Sequence, residues 1–141
     1  VETASPHSDE GRELSLYATE SYFTGTSSRL RRYSLRIDGF ASVYASLDGG
    51  ELLTRPLTFT GTKLLLNVST SGGGSVRVEM QDANGTPLPG LRMEDSHVLF
   101  GDALELAASW KGMPTLDAHQ GRAVRLRMEL KDADLFALRF T

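Results

Sequence analysis

The sequence contains no cysteine. Disulfides, thiolate nucleophiles, zinc ribbons and iron–sulfur clusters are therefore excluded. Bacterial secreted proteins often lack cysteine too, so this absence leaves the compartment open. An excess of basic charge is also missing, because 15 Lys+Arg stand against 18 Asp+Glu for a formal net charge of −3. Proteins that bind by neutralising phosphates are normally basic, so nucleic acid is not an expected partner. No apolar run approaches the roughly 18 residues of a membrane-spanning helix, and no membrane partner is expected. The start, Val1-Glu2-Thr3-Ala4-Ser5-Pro6, lacks a basic, apolar leader. It reads as a trimmed segment, with any export signal expected outside it. Long helical periodicity is lacking as well, which argues against nucleotide-binding α/β folds.

What remains is an ordinary globular composition, 40% apolar and 23% charged, over 141 residues. That is about one domain, able to bury roughly two-thirds of its unfolded surface. Residues 1–11 are polar, contain Pro6 and Gly11, and read as a linker. From residue 12 to 141, apolar and polar residues alternate in short runs. Leu14, Leu16 and Ala18 oppose Ser15, Tyr17 and Thr19; Val76, Val78 and Met80 oppose Arg77, Glu79 and Gln81. Leu104, Leu106, Ala108 and Trp110 form another apolar side, and Val124, Leu126, Met128 and Leu130 a fourth. Period two marks half-buried strands. About nine or ten such runs predict an all-β fold, a two-sheet antiparallel β-sandwich. Glycine-rich Ser71-Gly72-Gly73-Gly74 reads as a hairpin connection, since a phosphate cradle needs a lysine and a following helix. Only Pro114 to Gln120 suggests a helical turn, with Thr115 as N-cap and Gly121 beyond its end.

Three stretches carry a family resemblance. They are Leu30-Arg31-Arg32-Tyr33-Ser34-Leu35-Arg36-Ile37-Asp38-Gly39-Phe40-Ala41-Ser42-Val43, the run from Gly74 to Gly90, and the end from Val124 to Phe140. With Gly101-Asp102 and Ser109-Trp110 between them, they resemble the C-terminal β-sandwich of bacterial proteins related to glycoside hydrolase families 32 and 43. The resemblance spans residues 12–141 and departs at Ser96, where related sequences often carry cysteine. It implies a concanavalin A-like jelly roll that follows a five-bladed β-propeller. It also implies an accessory role, either binding carbohydrate or buttressing the catalytic propeller. The expected partners are therefore a carbohydrate and the parent propeller module, and the expected location is extracellular or periplasmic.

Candidate residues follow from sugar chemistry. Pyranose C–H faces stack on aromatic rings, while hydroxyls seek polar neighbours. Trp110 shares parity with Leu104 and Leu106, so a core position is preferred to a sugar platform, and both readings stay open. Tyr17 should face outward; Tyr22 lies in a loop with Phe23, and Tyr44 follows Phe40 on a strand. Arg32 and Arg36 share one polar side. Arg77, Glu79 and Arg127 belong to polar strand faces that also hold Arg125 and Glu129. Guanidinium groups there would depress the carboxylate pKa values, which spoils Glu79 and Glu129 as a glycosidase pair. A charge lattice is the plain reading, and forked contacts to sugar hydroxyls, carboxylates or sulfates are the functional one. The ligand set is thus Trp110, Tyr17, Tyr22, Tyr44, Arg32, Arg36, Arg77, Glu79 and Arg127, with no catalytic residue. His7, His97 and His119 lack the signature of an oriented base. No cofactor is expected. Asp82-Ala83-Asn84-Gly85 and Asp132-Ala133-Asp134 space oxygens as calcium accepts, so a structural calcium ion is the alternative to the preferred reading as turns.

Overall fold

The structure is a computed structural model and describes residues 1–4, 12–22 and 25–141. Eight strands occur among the described residues: β1 (Glu2–Ala4), β2 (Arg12–Glu20), β3 (Arg29–Leu35), β4 (Val43–Ala45), β5 (Gly50–Leu53), β6 (Leu64–Asp82), β7 (Asp102–Ala107) and β8 (Val124–Phe140). All pairings are antiparallel, in a three-stranded sheet β1-β2-β3 and a five-stranded sheet β4-β8-β6-β7 in which β5 also pairs with β8. The protein is all-β with two antiparallel sheets, consistent with the two-sheet β-sandwich that the alternation predicts. The chain forms two compact units, Val1–Ala41 and Ser42–Thr141. The expected linker over 1–11 contains β1, which pairs with β2; residues 5–11, with His7, lie outside the described residues.

The second unit is organised by β6 and β8. Their central pairing is long because both strands keep one apolar side throughout. Leu64, Leu66, Val68, Val76, Val78 and Met80 of β6 are fully buried, as are Leu126 and Met128 of β8. Phe59, Leu91, Leu99, Trp110 and Leu116 come in from the connections and complete the core. Each such side chain contributes about 1.5–3 kcal/mol of burial. The Ser71–Gly74 stretch lies inside β6 and is not a hairpin connection. Between the pairs Thr70↔Ala133 and Ser75↔Lys131, β6 advances five residues and β8 two, so β6 carries a three-residue bulge. A Cβ on Gly74 would overlap the backbone oxygens of Asp132 and Lys131, which explains glycine there. Asp132 itself has φ of 40°. Its left-handed conformation resets the parity of β8, so that Leu130 before it and Ala133 after it both face the core.

The first unit is built differently. Among its described residues the buried side chains are Glu13 and Ser15, not leucines. Arg32 explains this, because its guanidinium donates to Glu13, to Ser15 Oγ at 2.9 Å and to Thr3 Oγ1 at 3.1 Å. That network ties β1, β2 and β3 together on one face. On the other face, register places Leu14 opposite Leu35 and Leu16 opposite Tyr33, and Leu16 is 66% exposed.

The expected helical turn is a 3-10 turn over Asp117–His119, capped by Leu116 without a side-chain hydrogen bond, so Thr115 is not its N-cap; another 3-10 turn spans Gly25–Ser27.

Candidate functional site

The outer face of β5, β8 and β6 can be mapped row by row from register, since directly opposed residues in antiparallel strands share a face. Glu129 opposes Glu51 on one side and Arg77 on the other. Arg127 opposes Leu53 and Glu79, and Arg125 opposes Gln81. Opposite signs meet along and across the strands. Arg77 donates to Glu129 at 2.5 Å. Arg127 donates to Glu51 at 2.8 Å and lies 3.7 Å from both Glu79 and Glu129. The Glu51 carboxylate holds the Arg127 pKa above its ordinary value.

Glu79 occupies a special place in this lattice. It is only 4% exposed. Its Oε2 accepts the Met93 backbone N–H at 3.0 Å and its Oε1 accepts the Gln81 amide at 2.7 Å. The connection between β6 and β7 is therefore anchored on the outer face through this carboxylate. Met93 is buried yet does not belong to the main core cluster.

Beside the lattice lies a shallow groove of about 450 Å³ lined by Asp48, Gly49, Gly50, Glu51, Ser75, Arg77, Glu129, Leu130 and Lys131. It is hollow because Ser75, Gly49 and Gly50 put little bulk on the sheet. On the other side of β6 from β8, the isolated bridge Val76↔Leu99 brings a further segment alongside Ser75 and Arg77. One step along that antiparallel pairing sets Phe100 opposite Ser75 and Val98 opposite Arg77, on the outer side. Phe100 is 69% exposed and Val98 57% exposed. The alternation of sequence alone did not single out Phe100. Its signal was the inward Leu99 flanked by two apolar residues, which is wasteful unless one of the two sides has a use.

The structure brings Arg77, Glu79 and Arg127 together and places the other candidates elsewhere. Trp110 is 3% exposed and its Nε1 donates to the Val78 carbonyl at 2.8 Å. It is a core residue, and the platform reading falls because no ring face is open to a sugar. Tyr17 is exposed, and Arg32 lies directly opposite it with its guanidinium engaged by Glu13. Tyr22 is exposed beyond the end of β2. Arg36 lies at a turn, where Gly39 N–H donates to its carbonyl. Tyr44 is exposed on β4 opposite Asp134, whose carboxylate accepts the Ser42 hydroxyl at 2.6 Å. Phe23 lies outside the described residues.

The two calcium-spaced fragments have other local roles. Asp82 Oδ1 accepts the backbone N–H groups of Asn84 and Thr86, both at 2.9 Å. The Thr86 bond, foremost, holds its carboxyl below the usual range. Among the described residues, no cluster of three His, Cys, Asp or Glu side chains has the geometry to hold a metal ion. No protein-family model, curated protein or solved structure matches this chain.

Proposed function

We propose that the protein is a non-catalytic carbohydrate-binding module of a carbohydrate-active enzyme, and that the ligand lies on the outer face of β5, β8 and β6. The observation that carries this reading is the groove, with fixed donors and acceptors along its floor and the exposed Phe100 on the segment that bridges β6 next to it. Phe100 offers a flat apolar face for pyranose C–H groups. Arg77 and Glu129 restrain each other, so their outward atoms meet hydroxyls with little ordering cost. The open, polar shape suits a chain of sugars better than a compact metabolite, and affinity is modest. Carboxylates on this face are engaged by guanidinium or amide donors, which fits binding better than general acid catalysis. Affinity electrophoresis through gels cast with a panel of polysaccharides tests the reading. The chain is expected to be retarded by at least one glycan. Phe100→Ala and Arg77→Ala should each weaken that retention about tenfold. Migration unaffected by every glycan in the panel would overturn it.

A second reading, a structural module that buttresses a β-propeller and binds no sugar, is favoured by one observation. The three-stranded sheet buries no hydrophobic side chain among its described residues, while Leu16, Tyr33 and Leu35 stand exposed on one face. Such a patch is typical of a surface that another protein covers. On this reading, adding the chain to a separately produced propeller raises the propeller's melting temperature, and Leu16→Glu abolishes the rise. An unchanged melting temperature with the unsubstituted chain would sink it.

A further inference from the structure

Two cations of the lattice, Arg125 and Lys131, have no ionic partner among the described residues, and Arg125 also carries a sealed nitrogen. On the outer face, Arg77, Arg125, Arg127 and Lys131 stand against Glu51, Glu79 and Glu129. Glu129 is taken by Arg77, Glu51 by Arg127, and Glu79 by Met93 N–H and Gln81. Among the described residues the Arg125 side chain has neither a hydrogen bond nor an ion pair, and its Nε is sealed from solvent without an acceptor. A second cation, Arg55, sits alongside it. The bonds Thr54 N–H to Leu126 O and Leu57 N–H to Val124 O bracket Arg55 and Arg125 at one level of the sheet edge. The surplus is positive on a chain whose net charge is −3.

A guanidinium with a covered Nε has its plane fixed by packing, while its two terminal nitrogens remain open. That is an end-on fork of four N–H bonds, a shape that matches the two oxygens of a carboxylate. The fork has no protein acceptor to give up, so a ligand carboxylate can engage it without breaking an internal bond. Resting on the glycan reading above, we infer that the ligand is an acidic polysaccharide whose uronate carboxylate docks on Arg125, with Arg55 beside it, while the neighbouring neutral portion lies along the groove. Arg125 thereby sets the substrate class and Phe100 the stacking.

The test uses the whole chain in affinity gels containing polygalacturonate, alginate or glucuronate-bearing xylan, each beside its carboxyl-reduced counterpart. At least one acidic polymer should retard the chain about tenfold more strongly than its reduced form. Arg125→Ala should erase that difference, Arg125→Lys should restore it only in part, and added salt should weaken it. Equal retention on an acidic polymer and its reduced form, or retention unaffected by Arg125→Ala, overturns the carboxylate site and leaves the glycan reading standing. Retention by no glycan at all overturns the glycan reading. In that event the Arg125 Nε–H signal, followed by NMR during titration with sodium acetate, separates the two claims. A saturable shift supports an oxyanion site at Arg125, and no shift overturns that as well.

Discussion

Replacing Trp110 by alanine should lower the unfolding free energy by about 3–5 kcal/mol, the range for emptying a large aromatic site in a packed core. Two losses combine. The indole is 3% exposed among Leu91, Leu99, Val78 and the other residues of one cluster. Its Nε1–H also satisfies the Val78 carbonyl, a β6 backbone oxygen facing the β6–β7 connection. The neighbouring Val78 N–H is satisfied by Ser96 Oγ at 2.9 Å, so at this level side chains of the connection take the place of a paired strand. Trp110→Phe keeps most of the apolar contact and loses the bond, so its cost should fall to about 1–3 kcal/mol. Urea denaturation of both variants checks the prediction. A Trp110→Ala loss under about 1 kcal/mol would mean that the indole is not buried in the native core.

The position of Trp110 shows what alternation reveals. Its shared parity with Leu106 and Ala108 led inward, and inward it lies. The apolar sides of β6 and β8 were legible for the same reason: a strand that buries one face writes its period into the sequence. The continuity of those strands was not legible. Gly72, Gly73 and Gly74 look like a connection because glycine is the usual turn residue, yet here glycine serves a bulge in which backbone approaches backbone. Asp132 hid the join in β8, since a left-handed non-glycine residue leaves no mark on composition. In the first unit the pattern misled. Leu14 and Leu16 alternate as a core side would, but Arg32 gathers Glu13, Ser15 and Thr3, and the polar side is the buried one. The network depends on β3 lying beside β2 and on β1 lying beyond it, contacts that no local window contains. The groove was likewise out of reach. Arg77 and Glu129 could be named as polar-face residues, but their meeting with Ser75, Gly49 and Gly50 depends on register.

Removing the Glu79 carboxylate should also destabilise the chain, by about 2–4 kcal/mol in Glu79→Ala, through donors left stranded more than through lost charge. On the outer face of a sheet a glutamate is ordinarily solvated, and substituting it costs little. Glu79 differs because the β6–β7 connection closes over it. Met93 N–H and the Gln81 amide both point at its oxygens, and both it and Gln81 are buried. Arg127 is not stranded by the change, since Glu51 holds it at 2.6 Å and Glu129 remains 3.7 Å away. The expected penalty therefore sits on the two amide donors, and Glu79→Gln discriminates. It preserves the volume and one acceptor oxygen but sets an NH₂ group against Met93 N–H or the Gln81 amide, so roughly half the penalty should remain. Hydrogen exchange at the Met93 amide gives the second readout: protection should drop in both variants while the Leu126 amide, in β8, stays protected until global unfolding. Unaltered Met93 protection in Glu79→Ala would show that the connection is anchored by its apolar contacts alone. Glu79 would then return to the set of side chains free to meet a ligand, because a carboxylate that holds no loop in place can turn toward a sugar hydroxyl.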